Sequence, residues 1–246
     1  MKVAVINFSG NVGKSTVARH LLVPRISGAK LIVVESINAG DGRASALRAD
    51  QFAVLQEYMQ TVDNVVVDIG ASNVEELMGL MRKYKGSQEE FDFFVVPTVS
   101  ALKQQQDTIA TLAELADIGV TSSRLKITFN MVRHERQIAQ SFETLLQFIA
   151  EHPIAQADLN CWIGSNEIYE RVKGTNLDLA TLSRDETDYK ALITTTGVTA
   201  ERIAFARKLA TRRLASGVVP ELDACFEALR LHPDDPRPNA SIGSAP

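Results

Sequence analysis

Cysteine is scarce: Cys161 and Cys225 are the two in 246 residues, far apart and without metal-ligating neighbours. That excludes a disulfide scaffold and a cysteine-built zinc module. It fits a reducing compartment in which both stay thiols and act as small buried hydrophobes. No stretch reaches about 18 uninterrupted apolar residues, so no transmembrane helix is expected. No charged, apolar and cleavable leader precedes the first apolar run, and the expected location is cytoplasmic. Neither sign of charge dominates: 26 Lys and Arg against 30 Asp and Glu leave a formal −4, which confines any nucleic-acid contact to a local patch. His20, His134, His152 and His232 are too scattered for a metal site or for the base of a nucleophile. No internal repeat or interdomain linker is evident. With 45% hydrophobic and 23% charged residues, the chain has the composition and length of one well-buried α/β domain.

What is present begins at once. The apolar run Val3 to Ile6 ends in a small-residue turn, Ser9-Gly10-Asn11-Val12-Gly13. Lys14-Ser15-Thr16 then open a segment whose apolar positions Val17, Ala18, Leu21 and Leu22 recur at helical spacing. Strand, loop and helix in that order suit a polyphosphate. Gly10 and Gly13 are expected to supply positive-φ turns and close approach of backbone to anion. The N–H groups at the helix start, with their share of the helix dipole, face phosphate oxygens. Lys14 adds a mobile positive charge, and Ser15 offers a hydroxyl to a Mg²⁺ ion. The candidate nucleotide-binding residues are therefore Ser9, Gly10, Asn11, Val12, Gly13, Lys14, Ser15 and Thr16. Against the pattern G-x-x-x-x-G-K-S/T, the first glycine is replaced by Phe8.

Further along, strands and helices alternate. A helix is expected from Lys14 to Leu22, stopped by Pro24. Lys30 to Val34 reads as a buried strand with Glu35 at its carboxyl end, the side where open parallel sheets bind ligands. A loop of small and polar residues, 36–42, follows. Leu47, Phe52, Leu55 and Met59 predict a covering helix over 45–60. Asn64 to Gly70 is a third strand carrying Asp68, and a helix runs from Val74 to Lys85. Phe91 to Thr98 is a fourth strand, closed by Pro97. Leu102, Ile109, Leu112 and Leu115 predict a helix over 101–115, with Gln104-Gln105-Gln106 as its solvated face. Leu125 to Val132 is the fifth strand and carries Asn130. Residues 135–152 form another helix, and 159–163 an edge strand. Segments 166–172 and 177–182 are expected to lie over the nucleotide. Between Thr199 and Leu214, Arg202, Arg207, Lys208, Arg212 and Arg213 decorate a helix; they form a patch for DNA or another acidic surface, or else a solvated face. Residues 231–246 read as a disordered tail, leaving 1–230 as a single nucleotide-binding domain. The predicted fold is a doubly wound α/β domain with a mainly parallel sheet flanked by helices.

The segment Ser9-Gly10-Asn11-Val12-Gly13-Lys14-Ser15 resembles the phosphate loop of the partition and division-site ATPases, the ParA and MinD group with deviant Walker A motifs. These also lack the first glycine and read K-G-G-x-G-K-S/T. Ser9 stands at their signature lysine, which in that family reaches across a dimer to the partner's nucleotide, and Asn11 at their second glycine. The resemblance implies a Walker B role for Asp68, holding Mg²⁺ with Ser15. It implies a switch loop after Glu35 in which Glu35 matches the first of two acids near the attacking water and Ile37 replaces the second. It also implies an adenine-reading role for Asn130, whose amide both donates and accepts; a strand-ending turn residue is the alternative. The catalytic set so implied is Lys14, Glu35 and Asp68, with ATP and Mg²⁺ as cofactors. Hydrolysis is then slow, partner-dependent or absent, since isoleucine can neither orient nor deprotonate water. A narrower resemblance, in residues 5–16 and 34–39, is to plasmid stability proteins of the StbB type from conjugative plasmids. It implies plasmid maintenance and DNA positioning, self-association as a homodimer, and a DNA-binding StbA-type partner. A switch with negligible turnover and a phosphate-loop small-molecule kinase remain the alternatives.

Overall fold

The computed structural model describes residues 1–34, 37–38, 44–45, 49–175 and 177–232. The strands are β1 (Lys2–Val5), β2 (Lys30–Val34), β3 (Ile37–Asn38), β4 (Ala44–Ser45), β5 (Val65–Ile69), β6 (Phe93–Thr98), β7 (Leu125–Val132) and β8 (Trp162–Gly164). Helix α1 (Lys14–Thr16) continues as a π-helix over Val17–Leu22. It is followed by α2 (Ala49–Gln60), α3 (Val74–Lys83), α4 (Leu102–Asp117), α5 (Ile138–Ser141), α6 (Glu143–Glu151), α7 (Ile168–Val172), α8 (Leu179–Ser183), α9 (Tyr189–Thr195) and α10 (Thr199–Leu229).

Six strands form one parallel sheet in the order β2-β5-β1-β6-β7-β8, while β3 and β4 pair antiparallel. The inner strands are runs of valine, isoleucine and phenylalanine because both faces of the sheet are covered. Alternation along β1 shows this directly. Ala4 and Ile6 join the core of α2, α3, α4 and α6, whereas Val3 and Val5 join that of α1, α7, α8 and α10. The strand order reverses direction at β1 and β6, so the crevice beyond their carboxyl ends is the ligand position of such a sheet. No helix among the described residues is long and apolar enough to cross a membrane.

Several expectations are corrected by side-chain chemistry. The helix after the loop keeps its expected span but widens to π, with Val23 N–H bonding Ala18 C=O at 3.0 Å. Pro24 has no N–H for the His20 carbonyl, and the Arg25 guanidinium donates there instead, at 2.8 Å, and to Leu21 C=O at 3.1 Å. β6 begins at Phe93, two residues later than expected, and ends at Thr98 as expected. Leu102 opens α4 facing solvent, at 57% exposure.

Gln105 is no part of a solvated face. It is buried, and its amide enters the next helix: Nε2 donates to Ser141 C=O at 3.0 Å while Oε1 accepts from Leu145 N–H at 3.1 Å. Those two groups would otherwise bond each other at i, i+4. The insertion explains why the single helix expected over 135–152 is broken into α5 and α6. Phe142 turns inward at the break, its ring centroid 4.8 Å from that of Phe129. The last helix runs to Leu229, far beyond Leu214, and through Pro220. Arg25 braces it there, donating to Val219 C=O at 3.3 Å and pairing with Asp223 at 2.7 Å. Both cysteines are buried thiols; burial pushes Cys161 up to about 12 and raises Cys225 as well. The expected tail lies outside the described residues from 233 onward.

Replacing Gln105 with alanine strands a carbonyl and an N–H in the α5–α6 break. A loss of about 1–3 kcal/mol in urea unfolding is expected. A loss below about 0.5 kcal/mol would mean that the helix closes up without it.

Candidate functional site

The loop leaves β1 under tight control. Asn7 is fully buried, and its amide nitrogen donates to Pro97 C=O at 2.9 Å and to Thr108 Oγ1 at 2.8 Å. Its Oδ1 accepts from Ser9 N–H at 2.7 Å. Phe8 N–H donates to Thr111 Oγ1 at 3.0 Å. The Asp107 carboxyl is held below its ordinary range chiefly by the hydrogen bond from Lys103, 2.7 Å away, and also by one from the Ser9 hydroxyl. Residues 7–9 thus hang from β6 and α4, and α4 is the part of the site that composition and motif did not reveal. A signal was present: the buried residues of α4 are Gln105, Thr108, Thr111, Leu112 and Leu115, three of them polar where packing alone calls for apolar ones.

The left-handed positions of the loop are Asn11, at φ 57, and Gly13, at φ 83; Gly10 is not among them. Gly10 was expected to supply φ > 0 and does not; nor is it constrained by a close protein neighbour, since a Cβ there would meet no protein atom within 4 Å. Gly13 has both constraints. A Cβ there would stand 1.9 Å from Asn130 Nδ2. Asn130, 3% exposed, donates that nitrogen to Val12 C=O at 2.8 Å and accepts Met131 N–H on Oδ1 at 2.9 Å. Besides any contact to a base, Asn130 is a clamp on the loop. Gly13 caps α1 without a side-chain bond, so the first-turn N–H groups of that helix face outward as donors.

Lys14 is 8% exposed. Its ammonium donates to Ser9 C=O at 2.6 Å and to Asn7 C=O at 3.2 Å. Burial pulls its pKa down to about 8, with the Asp68 carboxylate pulling it back up. Asp68 is itself buried on β5, level with Val5 of β1 and Val33 of β2. Ser15 is exposed at the helix start and Thr16 half-buried. Residues 9–16 contain no acid, so the loop offers donors and one ammonium with nothing to repel an anion. Among the described residues no three His, Cys, Asp or Glu gather into a metal cage. The structure therefore brings Ser9 to Thr16, Asp68 and Asn130 to one edge of the sheet. Glu35 and Asp41 lie outside the described residues; of Ile37 the backbone pairs with Ser45, level across β3 and β4.

Two further segments are placed. α7 and α8 are built into the core beneath α10, through Ile168, Val172 and Leu179. Of the five cations on α10, Arg212 donates to the Asp185 and Thr187 carbonyls and lies over the Tyr189 ring, and Arg202 donates to Thr196 C=O. Arg207, Lys208 and Arg213 are the exposed remainder.

No family model and no curated protein matches the chain. Among solved structures, the cell division protein MinD of Aquifex aeolicus is similar with a TM-score of 0.50 at 12% identity, over 85% of this chain and 96% of that one. The ATP complex of McdA from Cyanothece gives 0.45 at 13% identity, over 85% and 96%. MinD of Pyrococcus horikoshii OT3, complexed with Mg-ADP, gives 0.39 at 14%, over 88% and 95%. The fold is that of MinD: a parallel six-stranded sheet flanked by helices, of the phosphate-loop NTPase kind.

The two loop glycines should respond oppositely to alanine. Gly13→Ala must adopt a left-handed backbone and displace the Asn130 amide, for a loss of about 2–3 kcal/mol in thermal or urea unfolding. Gly10→Ala should stay within about 0.5 kcal/mol. Equal effects at both positions would contradict the loop geometry.

Proposed function

We propose that this chain binds Mg-ATP at residues 9–16 and works as a nucleotide-controlled switch of the ParA and MinD type, in plasmid stability and DNA positioning for conjugation, as in StbB-type proteins. The observation that carries the reading is the buried Lys14 ammonium at the reversal point of a MinD-like sheet, in a loop free of acids. Lys14 neutralises phosphate charge, and the backbone from Ser9 to Thr16 receives the phosphates. The Ser15 hydroxyl and the Asp68 carboxylate are the oxygens that would hold Mg²⁺, which keeps several waters and needs only one or two protein ligands. Glu35 orients water, and Asn130 reads the adenine edge. With Ile37 where a second acid would stand, turnover is slow or depends on a partner. ATP orders the loops after Glu35 and Asp68 and so controls self-association and the binding of a DNA-binding StbA-type partner. Arg207, Lys208 and Arg213 of α10 supply weak direct contact with DNA.

Lys14→Ala should abolish ATP and ADP binding in calorimetry while leaving the fold intact by circular dichroism; unchanged affinity would refute the loop assignment. Light scattering with no nucleotide, Mg-ADP or Mg-ATP, with phosphate release followed in the same tubes, separates a working ATPase from a switch that does not turn over. Binding should also be pH-linked. Lys14 starts to lose its proton near pH 8 in the free protein, and a bound polyphosphate raises its pKa. Nucleotide binding above about pH 8 should therefore take up a proton, with affinity falling by up to about tenfold per pH unit. Near pH 6.5 no uptake is expected. Calorimetry in buffers of different ionisation enthalpy reads both.

A further inference from the structure

At the carboxyl end of β7 the pairing with β8 slips. Phe129 stands level with Trp162 and Val132 with Gly164, so three steps on β7 meet two on β8. The extra residue makes a bulge at Asn130 and Met131, and bulges re-aim side chains. Met131 sits at φ 55, a conformation that glycine adopts freely and a methionine does not. As a result both neighbours of Met131 are buried while its own side chain is 47% exposed. Asn130 is turned onto Val12 and Gly13, which fixes the bulge to the end of the phosphate loop.

The place of this side chain in the fold is specific. β7 lies two strands from β1, about 10 Å along the ligand edge of the sheet. A nucleotide whose phosphates are held at Gly13 to Thr16 must lay its nucleoside along that edge. The two bonds that Asn130 makes leave one amide hydrogen and one oxygen lone pair for a base. The thioether of the next residue, exposed where Asn130 is buried, is soft and polarizable and suits an aromatic face. We propose that Met131 is the platform of the base subsite: its side chain packs against the face of the purine, and the strained bulge exists to present it. The proposal rests on the nucleotide reading above and adds to it the residue that grips the base independently of the phosphates.

The test uses the full chain with ¹³C-labelled methionine methyl groups and three ligands, ATP, ADP and inorganic tripolyphosphate. The Met131 methyl signal, assigned by its loss in Met131→Leu, should move upfield by ring current with ATP and ADP and stay in place with tripolyphosphate. Met131→Gly relieves the backbone and keeps the fold. It should weaken ATP and ADP alike by about five- to tenfold, the factor that covering roughly 50 Å² of apolar surface yields, and leave tripolyphosphate unchanged. Met131→Leu should stay within about twofold of the parent for all three. A Met131→Gly variant that weakens all three ligands equally would place the effect in the Asn130 clamp, and one that weakens none would remove Met131 from the site; either overturns the platform. Tripolyphosphate and ATP bound equally well by the parent, with no ring-current shift, overturns the platform but spares the loop. A parent that binds neither overturns the nucleotide reading itself.

Discussion

An ammonium held inside a loop must be met by oxygen, and in this protein the oxygen is main chain. Lys14 draws in the carbonyls of Ser9 and Asn7, so the Asn7–Phe8 and Ser9–Gly10 peptide groups are committed to facing it. Their neighbours' N–H groups then need partners elsewhere, because a buried unpaired donor costs about as much as a whole hydrogen bond gains. Ser9 N–H finds Asn7 Oδ1 and Phe8 N–H finds Thr111 Oγ1. Asn7 can play its part only if its own amide is held by Pro97 C=O and Thr108. One buried charge thus dictates the polar face of a helix whose sequence starts nearly a hundred residues later, and it explains why α4 carries threonines where packing alone would place leucine or valine.

The same requirement separates what sequence reading reaches from what it misses. The sheet strands are short apolar runs closed by turn residues, and their number, order along the chain and parallel pairing follow from period and alternation. The turn from β1 into α1 is equally legible, since small residues after an apolar run, followed by apolar positions at helical spacing, mark strand, loop and helix. What stays hidden is non-local. Gln105 reads as one of three solvated glutamines because its role, replacing an i, i+4 bond between Ser141 and Leu145, lies in a different helix. The break at Phe142 is hidden for the same reason. Gly10 looks equivalent to Gly13 in sequence; only the contact with Asn130, more than a hundred residues on, tells them apart. The full length of α10 was obscured by Pro220, a residue that normally ends a helix, here braced by Arg25 and Asp223.

Arg25 also ties the loop to the rest of the chain. The helix that starts at Lys14 ends in carbonyls that Pro24 leaves without N–H partners, and the guanidinium that satisfies them belongs to a side chain bonded at the same time to α10. The loop between β1 and α1 is therefore fixed at three points: by α4 at residues 7–9, by Asn130 at Val12 and Gly13, and by Arg25 at the far end of its helix. A ligand bound by such a loop finds its donors already placed, which lowers the ordering cost of binding.

Ser9 is where this rigidity bears on the family resemblance. A lysine at that position would have to project from the loop to reach a second molecule. Ser9 is buried instead, its N–H on Asn7 Oδ1 and its C=O on the Lys14 ammonium, while the exposed ammonium of Lys103 pairs with Asp107 on α4. The main chain at residue 9 is thus spent inside the loop, and the exposed ammonium of Lys103 belongs to α4 rather than to the loop. A contact across two copies of this chain would have to draw its cation from α4 or from elsewhere on the surface. A loop braced in this way has exchanged reach for fixed geometry, because a short buried side chain on a fixed backbone cannot extend to a partner.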